Sequence, residues 1–267
     1  MKTTLESMIQ ETQGEAETQR LNSQLELCVQ ERTAQLKAVR QELEMFSYSV
    51  SHDFRAPLRH ILGYVEILQA EAGATLDEAG RRHLQIIAQS ATRMGQMLDA
   101  LLEFSRMGRV EMHCQRVSLA LLVEDARREL HGEITGREID WRIGDLPEVQ
   151  GDPLMLRQAI VHLLSNAVKF TRARSPARIE IGAKNGGREM IFFIRDNGIG
   201  LDLPHAGKLF GLFQRFQRPG EFEGMGVGLA KARRLIHQHG GRAWAEGTVD
   251  GGATFYLAIP ISPEEST

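Results

Sequence analysis

Cysteine is scarce in this sequence: Cys28 and Cys114 are the only two among 267 residues. Two distant thiols cannot build a zinc site, and they give no sign of an oxidising compartment. Long apolar runs are missing too. No stretch approaches the roughly 20 apolar residues needed to span a bilayer. Met1 to Gln10 mix Lys, Glu, Thr and Gln with a few apolar side chains, and so lack the apolar core of a signal peptide. A cytoplasmic chain with no membrane span is expected. Excess positive charge is absent as well. The 32 Lys and Arg against 35 Asp and Glu leave a net charge of −3, which offers no basic field for nucleic acid. What remains is an ordinary soluble composition, 42% hydrophobic and 25% charged, over a length that suits one large domain or two modest ones.

Residues 1 to about 45 contain no proline and a single glycine, Gly14. Leu25, Val29, Arg32, Leu36, Val39, Leu43, Phe46 and Val50 alternate four and three apart. That is a heptad seam with one charged member, and a parallel coiled coil is its natural reading. A lone surface helix packed on its own domain is the alternative. The flanking positions are almost wholly polar and offer no second packing face.

The helical pattern continues to Pro57 without a break. Phe54, Leu58, Ile61, Val65 and Leu68 fall within roughly 80° of one another at 100° per residue. On the same wheel His52 lies about 165° from the centre of that stripe, so its ring points to water from a helix whose other face is buried. Glu71 to Leu76, with Gly73 inside it, reads as a turn. Asp77 to Met107 is a second helical run, carrying Leu84, Ile87, Ala91, Met94, Leu98, Leu101 and Leu102 at helical spacing. One hairpin buries too little of two such stripes. Pairing with a second copy into a four-helix bundle is expected, and with it a homodimer.

Arg109 to Arg116 reads as a polar linker. Beyond it Leu119 to Leu130 and Asp152 to Phe170 look helical. Arg178 to Ala183 and Met190 to Arg195 look like strands around an Asn185-Gly186-Gly187 hairpin turn. A last strand pair, about Arg242 to Ala245 and Ala253 to Ile259, brackets Asp250-Gly251-Gly252. Helices interleaved with hairpins indicate an α+β fold, an α/β sandwich following the helical part. The boundaries are set at 1–45 for the coil, 46–108 for the hairpin and 117–262 for the sandwich.

Three segments carry chemistry, each weak alone. Asp196-Asn197-Gly198-Ile199-Gly200 follows a strand; its glycines let the backbone approach a flat ligand, and its carboxylate can accept from an exocyclic amine such as that of adenine. By itself such a sequence after a strand is more often an ordinary turn. Gly224-Met225-Gly226-Val227-Gly228 opens a helix, where free N–H groups and the helix dipole attract an anion. Asn166 and Lys169 are three apart on one helix face; an amide oxygen can ligate Mg2+ and an ammonium can reach a phosphate.

Taken in order, and with Ser51-His52-Asp53-Phe54-Arg55-Ala56-Pro57-Leu58 ahead of them, these segments resemble the H, N and two G boxes of sensor histidine kinases of two-component systems. Leu209-Phe210-Gly211-Leu212-Phe213-Gln214-Arg215-Phe216 resembles the F box, and Gly251-Gly252-Ala253-Thr254-Phe255 the family's late glycine–threonine motif. The likeness covers about residues 46 to 260. The wording from Phe46 to His52 looks closest to phytochrome-like and PAS-linked kinases.

The resemblance implies an ATP-dependent enzyme that phosphorylates His52 and passes the phosphate to a response-regulator aspartate. His52 would be the acceptor and Asp53 would orient its ring and take its proton. Pro57 would kink the helix past the acceptor. Asn166 would hold Mg2+, Lys169 the phosphates and Asp196 the adenine amine, with Gly198 and Gly200 making room. Gly224, Gly226 and Gly228 would anchor a lid running from about Asp202, seated by Phe213. The input would come from an upstream sensor domain or sensor protein.

Three positions depart from the family pattern. Ala56 stands where relatives often carry Thr or Asn, which puts phosphatase activity by that route in doubt. His162, which could still face Mg2+ or simply be a packed histidine, replaces a frequent Asn, and Met225 stands at a common hydroxyl position. A degenerate dimeric scaffold is the alternative reading; a related ATPase of the same sandwich type would have no need of His52 and Asp53 on a hairpin.

Overall fold

The computed structural model describes residues 2–109, 111–201, 208–214 and 224–261, with side chains from residue 19 onward except at 40 and 109. The chain divides into two compact units, residues 1–102 and 103–267.

The first unit is built on one long helix, α1 (Lys2–Ala72), which runs through Pro57 as a single element. Its heptad positions are left largely uncovered among the described residues. Leu25, Val29, Leu36, Val39, Leu43 and Phe46 are all exposed. The chain reverses after Ala72, whose carbonyl accepts from the N–H groups of Thr75 and Leu76 at 2.9 and 3.0 Å. Asp77 then caps the next helix, α2 (Glu78–Arg106), accepting from the Gly80 N–H at 2.7 Å. Between the two helices Leu58, Val65, Ala91, Ala100 and Leu102 are buried. Phe54, Ile61, Leu68, Ile87 and Met94, from the same stripes, are not. Half of each stripe closes the hairpin and half still faces outward. Arg55 bridges to Asp99 at 2.8 Å, tying the antiparallel helices across the surface.

The second unit is a two-layer sandwich. Its sheet has the order β2 (Ile139–Ile143), β4 (Ala177–Asn185), β5 (Glu189–Asp196), β7 (Gly252–Pro260), β6 (Arg242–Thr248), with β2–β4 parallel and the other pairs antiparallel. Helices α3 (Leu119–Glu129), α5 (Pro153–Phe170) and α6 (Gly228–Gln238) supply the other layer. A short helix, α4 (His131–Ile134), follows α3. A separate two-stranded sheet joins β1 (Gln115–Ser118) to β3 (Glu148–Gly151). The period of two in β5 and β7 sends Phe192, Ile194, Phe255 and Leu257 inward, where they meet Leu163, Leu164 and Ile236. The start of α5 is fixed tightly: Asp152 accepts from the N–H groups of Leu154 and Met155 at 3.0 Å and from that of His113 at 2.9 Å. Burial opposes ionisation of Asp152, but those three N–H groups outweigh it and hold the carboxyl below its usual range.

The α+β class and the main helices and hairpins agree with the sequence expectation. The polar linker is shorter than expected, because Gln115 and Arg116 already pair with Gly151 and Gln150. Strands β1, β2 and β3 were not anticipated. Among the described residues no helix is long and apolar enough to cross a membrane.

Candidate functional site

In the first unit, the geometry of His52 follows from the helical wheel. The stripe around Leu58 and Val65 turns inward, and His52 and Asp53 are left with side chains 70% and 73% exposed. Nδ1 of His52 lies 3.3 Å from Oδ1 of Asp53. A ring that donates its Nδ1 proton to that carboxylate carries the lone pair on Nε2, facing solvent. Tyr48, one turn earlier, lies near-parallel to the imidazole with ring centres 6.4 Å apart. Ala56 is one turn on, half-buried and without a polar group.

In the second unit, α5 and the glycine segment ahead of α6 face each other across a cavity of about 280 Å3. His162, Asn166 and Lys169 line it from successive turns of α5, and Gly224, Met225, Gly226, Val227 and Gly228 line the opposite side. The loop backbone comes close to the ammonium of Lys169, whose Nζ lies 3.3 Å from where a Cβ on Gly224 would stand. Lys169 also sits over the Phe170 ring, 4.5 Å from its centre. The N-cap residue of α6, Val227, makes no side-chain cap, and the helix opens at the cavity. Its first N–H groups are therefore turned toward whatever binds there.

Two glycines are indispensable to these loops. Gly226 has φ +72, and a Cβ on it would come within 2.5 Å of the Gln214 carbonyl oxygen. Gly200 has φ +76, and its Cβ would strike the Thr248 carbonyl oxygen.

Asp196 ends β5 and is 4% exposed. Its Oδ1 accepts from the Gly198 N–H at 2.8 Å, while Oδ2 is buried with no hydrogen-bond partner among the described residues. Burial pushes this carboxyl up to about 6, against the opposing pull of the Gly198 and Ala253 N–H groups. A buried acceptor without a donor is costly to keep, and a ligand amine would satisfy it. Asp196 opens on a neighbouring cleft, with Thr248, Gly252 and Thr254, rather than on the cavity of Asn166. Thr254 accepts from Nε of Arg195 at 3.2 Å.

The structure thus brings Asn166, Lys169, Gly224, Gly226 and Gly228 to one cavity. Gly198 and Gly200 shape the turn after Asp196. Phe213 has φ +61 and packs its backbone against Gly226. Asp202, where the lid was expected to begin, and Arg215 and Phe216 of the F-box stretch lie outside the described residues. The sequence reading missed the apolar wall of the cavity: Phe170, Leu201, Leu209, Leu229 and Phe255. It left His162 undecided between cavity and packing. The ring lines the cavity, and burial, with Lys231 nearby, pushes it down to about 4, so it is neutral. A flat apolar wall, an amide oxygen, an ammonium and an uncapped helix end suit a purine nucleotide with its phosphates and a cation. Among the described residues no three His, Cys, Asp or Glu side chains gather around a point, so such a cation would lean on few protein ligands.

Comparison with known proteins finds a phospho-acceptor domain and an ATPase domain in the chain. Residues 42–109 match the model of the His Kinase A phospho-acceptor domain, and residues 151–263 that of the histidine kinase-, DNA gyrase B- and HSP90-like ATPase. The methanogenesis regulatory histidine kinase FilI of Methanothrix harundinacea is 36% identical over 233 residues, which are 87% of this chain and 26% of that protein. Cyanobacterial phytochrome B of a Nostoc species is 34% identical over 228 residues, 84% of this chain and 30% of that one. Among solved structures, full-length ShkA in complex with AMPPNP superposes with a TM-score of 0.55 at 26% identity, covering 80% of this chain and 45% of that one. The chain therefore spans less than a third of the length of these two curated relatives.

Proposed function

The chain belongs to the sensor histidine kinases, by its phospho-acceptor domain and by its ATPase domain, and we propose that it uses ATP to phosphorylate its own His52 and hands the phosphoryl group to an aspartate of a response regulator. The observation that carries this reading is the exposed His52 with Asp53 at its Nδ1. Nε2 attacks the γ-phosphorus; the bond from that phosphorus to the β–γ bridging oxygen breaks, and ADP leaves with the electron pair. Asp53 stabilises the positive charge that develops on the ring and takes up the Nδ1 proton.

Phosphoryl transfer asks the protein for alignment and charge neutralisation more than for covalent chemistry. In this reading Lys169 and the N–H groups at the start of α6 hold the phosphates, and the base extends past the cavity to the neighbouring cleft, where Asp196 accepts from the adenine amine. Phe170, Leu201 and Phe255 cover the base. Asn166 offers its amide oxygen to a divalent cation, with Mg2+ the usual one, and that cation would neutralise the phosphates during transfer. The glycines at 224, 226 and 228 let the loop close over them.

The same reading makes the protein a homodimer. The seam from Leu25 to Phe46 and the outward halves of the hairpin stripes need a second copy to cover them. ATP as substrate fits the cytoplasm. A sensor domain or sensor protein would act on the coil. Ala56 offers no group to position water, so dephosphorylation of the partner by that route is not expected.

The test is incubation with γ-labelled ATP and Mg2+, for wild type and His52→Gln, followed by acid and alkali. Acid-labile, alkali-stable label that is absent from a still dimeric variant is the expected result. Label that survives in His52→Gln would overturn the assignment of the acceptor. Absence of label from wild type with nucleotide bound would favour the scaffold.

A further inference from the structure

The row that α5 presents to the cavity begins with a nitrogen ligand. His162, Asn166 and Lys169 stand four and three residues apart, so their side chains lie one above another. Two metal donors at i and i+4 on one helix face can grip a single ion, as the paired histidines of an H-E-x-x-H helix do. The imidazole sits at the glycine loop, where phosphates are expected. Its Nδ1 lies 3.6 Å, and its Cγ 3.9 Å, from the point where a Cβ on Gly228 would stand.

The chemistry of that pair is not the chemistry Mg2+ prefers. Mg2+ takes six oxygens in near-ideal octahedral geometry and gives up water reluctantly. An imidazole nitrogen suits first-row transition dications instead. The cation that bears on the charge of His162 is the ammonium of Lys231, which is 8% exposed and paired with Glu103 at 2.5 Å. Glu103 offsets its charge, so it does not bar a metal ion from the other side of the ring.

We propose that His162 and Asn166 form a mixed nitrogen–oxygen site for the divalent cation of the nucleotide, and that this site favours Mn2+ or Co2+ over Mg2+. Bound phosphates and water supply the remaining ligands. This rests on the reading of the cavity as a nucleotide site.

The test uses the full chain with a non-hydrolysable ATP analogue at pH 8, where an ordinary imidazole is neutral. Mn2+ binding is followed by the loss of its free electron-spin-resonance signal, and Mg2+ is titrated against it. Electron spin echo spectra of protein carrying 15N-histidine then report whether a histidine nitrogen is bonded to the ion. The expected result is direct 15N coupling in wild type. In His162→Asn that coupling is lost, and the preference for Mn2+ over Mg2+ falls about tenfold, the scale of a changed metal environment. If the analogue binds but wild type shows no histidine coupling, or if His162→Asn keeps the same preference, the proposal is wrong and the kinase reading stands. If the analogue binds with neither ion, both fail.

Discussion

The two units solve the problem of apolar surface in opposite ways. In the sandwich, Leu163, Leu164, Ile179, Ile181 and Ile194 are wholly enclosed by residues of the same unit. In the helical unit Leu36 is 71% exposed and Leu43 63%. A folded chain keeps such a row in water only where something else covers it. The sandwich closes its own core around a ligand cavity, whereas the helices leave theirs open, for a second chain to cover in the proposed dimer. In the proposed reading His52 therefore rides on the part that depends on assembly, and the nucleotide binds the part that does not.

The strongest way to break that contrast is to charge the uncovered rows. Leu36→Glu on the coil seam together with Ile61→Glu on the hairpin stripe attacks both parts of the interface. Burying a leucine or isoleucine gives about 1.5–3 kcal/mol, and each change occurs in both copies. The loss of at least about 6 kcal/mol raises the dimer dissociation constant by roughly ten-thousandfold. Sedimentation of the full chain should show monomers, while the thermal transition of the sandwich stays where it was. A dimer that persists would mean that the exposed rows are not its interface.

A smaller effect separates the units by pH. Asp196 is the buried acid of the sandwich whose pKa is raised, to about 6. A group whose folded-state pKa is raised adds stability below its unfolded value, and that contribution is lost as pH rises through about 6. The unliganded sandwich should thus gain stability on acidification from about pH 6 towards 4. Nucleotide affinity should move the other way. An amine donor needs the ionised carboxylate, so below about pH 6 binding must expel a proton and weakens by up to roughly tenfold per unit. Asp196→Asn should flatten both dependences relative to wild type. A pH profile of affinity identical in the two proteins would remove Asp196 from the binding site.

How far the sequence revealed this depended on whether a signal was local. The heptads, the wheel that exposes His52 and the glycines at 224–228 are patterns within a few turns of chain, and each is found where it was expected. Strand β2 was legible in principle, since Ile139, Trp141 and Ile143 alternate with polar residues, but nothing near it marks its parallel partner β4, 38 positions later. Strands β1 and β3 are four residues each, too short to show a period. The apolar wall of the cavity draws on residues from 170 to 255, and no spacing rule joins them. Whether His162 faced that wall or the core depended on the packing of α6 against α5, which only the fold decides.

The smallest expected effect concerns the face of the sheet that carries Trp244 and Tyr256, turned away from the core. That face is shielded by its own side chains. Trp244 stacks on Tyr256 with ring centres 4.8 Å apart, and Tyr256 is left 7% exposed. Arg242 lies over Trp244 at 4.4 Å and pairs with Glu189, while Arg195 pairs with Glu180 at 3.2 Å. Pairs this exposed contribute about 0–1 kcal/mol each, and an exposed cation over a ring about 0.5–1. Arg242→Ala should therefore lower the stability of the sandwich only slightly, near the limit of detection, and leave nucleotide affinity and dimerisation unchanged. High salt should shrink even that difference, because solvent screens the pair. A loss of several kcal/mol in a denaturant titration would mean that this face is a second core rather than a shielded surface. The contrast between a self-sufficient sandwich and an assembly-dependent hairpin would then rest on the ladder of side chains over the sheet as much as on the helices beneath it.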